Sequence, residues 1–208
     1  MIINEPLQNF LDKLASNAPT PGGGSVAALT GSLGAGLVTM VTCLTTGKEK
    51  YKAVQPQIDE LLKKAEKARS ELQALIQKDI DVFGSLSLVY AMPKITEAEK
   101  AARTTKMQEV LKAACQVPFE IGEKALEVAK LAKTAAEIGN AAAVSDAGVA
   151  VLLANCCAQS AALNVKINVN SIKDAEYNKV TWTRMQAILA ETEALQKTVI
   201  AITYQKMS

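Results

Sequence analysis

Two stretches of the chain, Val26 to Gly47 and Ala147 to Val165, contain no charged side chain. Elsewhere apolar residues recur at three- and four-residue spacing among lysines and glutamates, and strict alternation never extends beyond about four residues. This pattern predicts helices from end to end. The first begins near Pro6, a residue suited to a first helical position, and stops before "NAPTPGGG". Ser25 is expected to cap the first charge-free helix, with Gly47 ending it. A long helix follows from about Lys52 to Met92, halted by Pro93. Thr96 and Glu99 have the spacing of a capping box for the next helix, in which Pro118 begins or kinks a continuation to about Ile138. "GNAAAVSD" reads as a loop, with Ser145 or Asp146 capping the second charge-free helix. Ser171 with Asp174 caps a final helix of about 33 residues. The expected fold is all-α, a single-domain bundle of about six or seven helices over residues 1–208.

A charge-free helix suits either a membrane or a protein interior. Val26 to Gly47 is long enough to cross a bilayer, with small residues at four-residue spacing, Gly31 with Ala35 and Ser32 with Gly36. Against a membrane stand its five threonines and four glycines, flanks without an aromatic belt, and the amphipathic character of the other helices. The sequence therefore points to two helices buried on all sides, their small residues letting neighbours approach closely. Burying both takes more cover than one small bundle supplies, which predicts a homodimer built around them.

Composition narrows the chemistry. Aromatics make up 4% of the chain against 49% hydrophobic residues, so the core must be aliphatic and alanine-based. A net charge of +2, with basic residues dispersed among acidic ones as in "LLKKAEKARSEL", argues for solvated helix faces and against a nucleic-acid partner. Cys43, Cys115, Cys156 and Cys157 lack paired spacing, and "MIINEPLQNFLDK" lacks the features of a signal peptide; both point to a reduced, cytoplasmic protein. Histidine is absent, which removes Ser-His and Cys-His nucleophiles and the usual zinc ligand sets, so no metal site is expected. Proton transfer must fall to Asp, Glu, Lys, Tyr, Cys or backbone groups.

Asp79 is the sharpest anomaly. On a helical wheel Leu61, Leu72, Leu75, Ile76, Val82, Phe83, Leu86 and Tyr90 all fall within about 60° of it, so the carboxylate lies in the middle of an apolar stripe. Burial there raises a carboxyl pKa toward the range of a general acid or base, while a structural carboxylate bonded to a Ser, Thr or Asn accounts for the position equally well. The loop of Gly22, Gly23, Gly24 and Ser25 leads into a helix N-terminus, a setting for an anion or a polar ring edge, or else a tight turn. Asn155, in "VLLANCCAQSAA", needs partners inside the protein and is either a reader of a substrate edge or a bridge between helices. Lys48, just past Gly47, is placed to neutralise an acidic tail and also suits a helix C-terminus.

Three segments together, "PTPGGGSVAALTGSLGAGLVTMVTCLTTGKEKY", "DIDVFGSLSLVYAMPK" and "SDAGVAVLLANCCAQSAALNVKIN", resemble the cyclodeaminase/cyclohydrolase family of folate enzymes in order and spacing. The family comprises the C-terminal domain of formimidoyltransferase-cyclodeaminase and stand-alone methenyltetrahydrofolate cyclohydrolases, and the resemblance covers essentially the whole chain. It implies an all-helical homodimer acting on one-carbon-loaded tetrahydrofolate without a metal or any cofactor beyond the substrate. It places the catalytic carboxylate in "DxxxF…P", here Asp79, Phe83 and Pro93, and carries substrate binding over to the glycine loop, Lys48, Asp146, Asn155 and Asn164. Because the chain starts at the family's own first helix, with no transferase domain before it, a cyclohydrolase is expected. The alternatives are a cyclodeaminase that closes 5-formimidoyl-tetrahydrofolate with loss of ammonia, and a non-catalytic folate-binding or scaffold dimer.

Overall fold

Amphipathic stripes of this length can be buried only against one another, and in the computed structural model, which describes residues 1–208, they fold the chain into an up-and-down bundle. Its α-helices are α1 (Leu7–Leu14), α2 (Gly23–Cys43), α3 (Gln55–Tyr90), α4 (Glu97–Ile138), α5 (Val144–Val169) and α6 (Ala175–Met207), with short 3-10 turns at Ile2–Asn4, Glu49–Val54 and Ala141–Ala143 and no strand. A core cluster of 41 buried apolar residues, with alanine its commonest member, ties all five long helices together. Alanine leaves room for axes to approach closely. α2 and α5 run antiparallel in such contact: a Cβ on Gly31 would lie 2.8 Å from the Cys157 sulfur.

Helix ends show where local signals govern. The Thr96–Glu99 capping box at the start of α4 forms as expected, and Asp174 caps α6 by accepting from the Tyr177 amide. Ser25 does not cap α2. Gly22 occupies that position and Ser25 lies a turn inside, its hydroxyl engaged elsewhere; the helix ends at Cys43, with Gly47 in a left-handed turn (φ 72°) beyond it. Neither Ser145 nor Asp146 caps α5, because Asn140 nucleates a 3-10 turn by accepting from the Ala142 amide and α5 continues directly from it. α4 continues through Pro118. Proline has no N–H to offer the carbonyl of Ala114 four residues back, and Asn168 Nδ2 from α5 donates to that oxygen instead, at 3.2 Å.

The charge-free helices are not buried on all sides within one chain. Both have the length and hydropathy of a membrane span, yet only 50% and 56% of those apolar windows are buried in the bundle. Leu33 and Met40 on α2 and Leu44 at its C-cap are exposed in one stripe; on neighbouring α5, so are Val149, Leu152, Leu163 and Ile167. The remaining face is apolar and open.

Candidate active site

The apolar stripe of α3 divides at Asp79. Toward the N-terminus Leu61, Leu72, Leu75 and Ile76 are buried in the core, whereas beyond Asp79 the residues Val82, Phe83, Leu86 and Tyr90 form one wall of an open cavity of about 350 Å³. α4 supplies a second wall through Leu111, Ala114 and Pro118, and α5 a third through Asn164, Ile167 and Asn168. The volume falls in the range of small-molecule sites. Asp79 is half-buried at its base.

The glycine loop meets this carboxylate from below. Ser25 Oγ, fully buried, donates to Asp79 Oδ2 at 2.7 Å. Gly24 lies so close that a Cβ there would overlap Asp79 Oδ1, which no side chain tolerates. A Cβ on Gly23 would meet only the Asn164 side-chain amide, with Nδ2 at 3.4 Å and Oδ1 at 3.5 Å, ordinary contacts. A helix N-terminus attracts an anion, and the anion seated at the start of α2 is the protein's own Asp79. Burial pushes the Asp79 carboxyl above the usual carboxylate range, while the Ser25 hydroxyl, with a weaker contribution from the Ser25 amide, favours the charged form and limits the rise. Burial is the larger of these opposing effects, so the carboxyl holds a proton more readily than an exposed aspartate does.

The structure thus brings Asp79, Gly23, Gly24, Ser25 and Asn164 together, with Gly22 just outside as the N-cap of α2. It does not bring the other three candidates to this cavity. Lys48 is exposed beyond the far end of α2, about 30 Å along the axis from Gly23. Asp146 lies in the first turn of α5, about 27 Å along that helix from Asn164. Asn155 faces α6, where its Nδ2 donates to Gln196 Oε1. Pro93 lies beyond the end of α3 and does not line the cavity. A larger cleft of about 470 Å³ between α5 and α6, where Lys166 stands over the Trp182 ring, opens on the opposite flank of α5 and contains none of these residues.

One cavity residue, Asn168, was not among the expected site residues. The signal for it was indirect: a proline inside a helix leaves a carbonyl without its donor, and some polar side chain must supply one.

Comparison with known proteins places this arrangement. The family model described as formiminotransferase-cyclodeaminase matches residues 6–187. The chain belongs to that family. It is 42% identical over 205 residues to the methenyltetrahydrofolate cyclohydrolase of Methylorubrum extorquens, covering 99% of each chain. It is 30% identical to the formimidoyltransferase-cyclodeaminase of Gallus gallus, of which it spans 37%. Among solved structures, the formiminotetrahydrofolate cyclodeaminase of Thermotoga maritima superimposes over the whole of both chains with a TM-score of 0.89 at 28% identity. Within the family, this chain therefore aligns end to end with a stand-alone member and with one part of the longer bifunctional proteins.

Proposed function

We propose that this protein is a methenyltetrahydrofolate cyclohydrolase, adding water to the methenyl bridge of 5,10-methenyl-tetrahydrofolate to give 10-formyl-tetrahydrofolate. The observation that carries this reading is the end-to-end similarity to the Methylorubrum extorquens protein of that name, and Asp79 at the base of a cavity supplies the chemistry. The Asp79 carboxylate takes a proton as water adds to the bridge carbon, giving a neutral carbinol between N5 and N10. It then delivers that proton to N5 as the C–N5 bond breaks; the carbinol hydroxyl loses its own proton to solvent, and the formyl group remains on N10. One proton is released overall. These are proton transfers about a positioned carbon, so the proposed chemistry calls on no cofactor beyond the folate. Gly23, Gly24 and Asn164 shape the substrate contact, while Ser25 acts through Asp79.

Asp79→Asn is expected to lower turnover about 10²–10⁴-fold with the helical fold intact, followed by the decay of methenyl absorbance. Undiminished turnover in this variant would overturn the assignment. The likeness to the Thermotoga maritima cyclodeaminase supports a second reading, closure of 5-formimidoyl-tetrahydrofolate with loss of ammonia. Ammonia release from that substrate at a rate exceeding methenyl hydrolysis would establish it in place of the first.

We further infer that the protein is a homodimer and that it works in the cytoplasm. The open apolar stripe on α2 and α5 supports the dimer. An antiparallel pairing of the two α2 helices is the route by which Lys48 and Asp146 would join the partner's cavity. All four cysteines are free, two of them exposed, which suits a reducing compartment.

A further inference from the structure

The cavity above Asp79 has an unusual polarity. Within one chain no lysine or arginine lines it, although that chain has 23 of them. Its fixed polar groups are acceptors. Asp79 accepts from the Ser25 hydroxyl at Oδ2 and, more weakly, from the Ser25 amide, and as a carboxylate it offers the cavity only acceptors. Asn164 Nδ2 donates to the Ser160 carbonyl at 2.9 Å, and Asn168 Nδ2 donates to two carbonyls, Asn164 at 2.8 Å and Ala114 at 3.2 Å. A carbonyl only accepts, so in both amides the nitrogen must face the backbone and the oxygen is left free at the cavity wall. For Asn168 this orientation is enforced from outside the cavity, because the Ala114 carbonyl is the one that Pro118 leaves without an N–H. The Ser171 hydroxyl donates to the Ile167 carbonyl, so Tyr90 offers the remaining side-chain donor.

We propose that Asn164 and Asn168 are specificity-determining residues, whose side-chain carbonyls, fixed one helical turn apart opposite Asp79, select the cationic one-carbon bridge of a folate over its neutral acyl forms. The inference rests on the folate reading above. In 5,10-methenyl-tetrahydrofolate the bridge is a delocalised amidinium, and a protonated formimidoyl group has the same character; the 10-formyl product is neutral and carries a carbonyl. Oriented carbonyl dipoles and one carboxylate, in a cleft to which the surrounding chain contributes no cation, attract the first two and oppose the oxygen of the third. The same lining thus favours substrate entry and product release.

The test is made in Asp79→Asn protein, where turnover is suppressed and the carboxylate charge no longer contributes. Affinities are measured at mildly acidic pH for 5,10-methenyl-tetrahydrofolate and for 5-formyl-tetrahydrofolate, a neutral amide at the same nitrogen. The cation is expected to bind more tightly, and adding Asn164→Ala or Asn168→Ala should reduce that preference roughly tenfold, the scale of one hydrogen bond to a charged group. Because Asn168→Ala also uncovers the Ala114 carbonyl, Asn164→Ala, whose nitrogen bonds only within its own helix, decides the matter if the former unfolds. A preference left unchanged, or both affinities weakened by the same factor, overturns the proposal. Wild-type protein that binds neither folate would overturn the functional reading instead.

Discussion

Ser25 and Gly24 act on Asp79 in different ways, and substitutions separate them. The Ser25 hydroxyl stabilises the ionised carboxylate against a burial effect that raises its pKa. Removing it in Ser25→Ala raises that pKa further, so the acid limb of the pH profile of kcat/KM should move to higher pH, with activity lost first on the acidic side. Tyr90 is the other ionisable side chain lining the cavity; Lys78, next to Asp79 in sequence, is paired with Glu120 at 2.7 Å on the outer surface. An acid limb that stays in place would show that Ser25 does not tune Asp79. Gly24→Ala should displace the carboxylate and abolish most activity, whereas Gly23→Ala should retain much of it, since only the former puts a methyl group onto Asp79. Asp79 also has a stability signature. Its pKa is raised in the folded state, so its favourable contribution is complete below the unfolded value and is lost as pH rises through the folded one. Asp79→Asn is therefore expected to melt above wild type at neutral pH and to converge with it in acid, as thermal unfolding at the two pH values would show.

At the scale of helices, what was legible in the sequence was what depends on neighbours three or four residues away. The Thr96–Glu99 box is such a case, with Thr96 Oγ1 accepting from the Glu99 amide and Glu99 returning a bond to the Thr96 amide. Thr96→Ala should cost about 1 kcal/mol in denaturant unfolding. Asp79 was legible for the same reason, because a carboxylate in an apolar stripe violates a period that the helix itself sets. Ser25 was misplaced as a cap because its hydroxyl partner lies 54 residues away on α3. Asn168 escaped for a related reason, as its role depends on Pro118, and nothing in one sequence pairs that proline with that amide. Asn164 was expected from the resemblance alone, which did not show which cavity it would border. Lys48 and Asp146 stood near motif positions, yet α2 and α5 extend them to the end of the bundle opposite Asp79.

At the scale of the molecule, the open face of α2 and α5 bears on both assembly and activity. Leu33, Met40 and Leu44 follow one another along α2 and its C-cap at seven and four residues, and Leu163 and Ile167 on α5 are 74% and 68% exposed, more than an isolated soluble chain needs. A second copy seated there would bury the stripe, and because Ile167 also lines the Asp79 cavity, it would cover the mouth of the site as well. Leu33→Glu introduces a charge where the chain itself makes no demand, so the folded subunit should keep its helical circular dichroism. In the dimer the same charge must be desolvated, at a cost large enough to dissociate it. Light scattering should then report the 22.0 kDa subunit mass for the variant and twice that for wild type. Turnover assays on the dissociated variant should show a raised KM, since the cavity loses its cover. A wild-type protein that runs as a 22.0 kDa monomer would remove the dimer, and an unchanged KM in a dissociated variant would show that the cavity is complete within one chain.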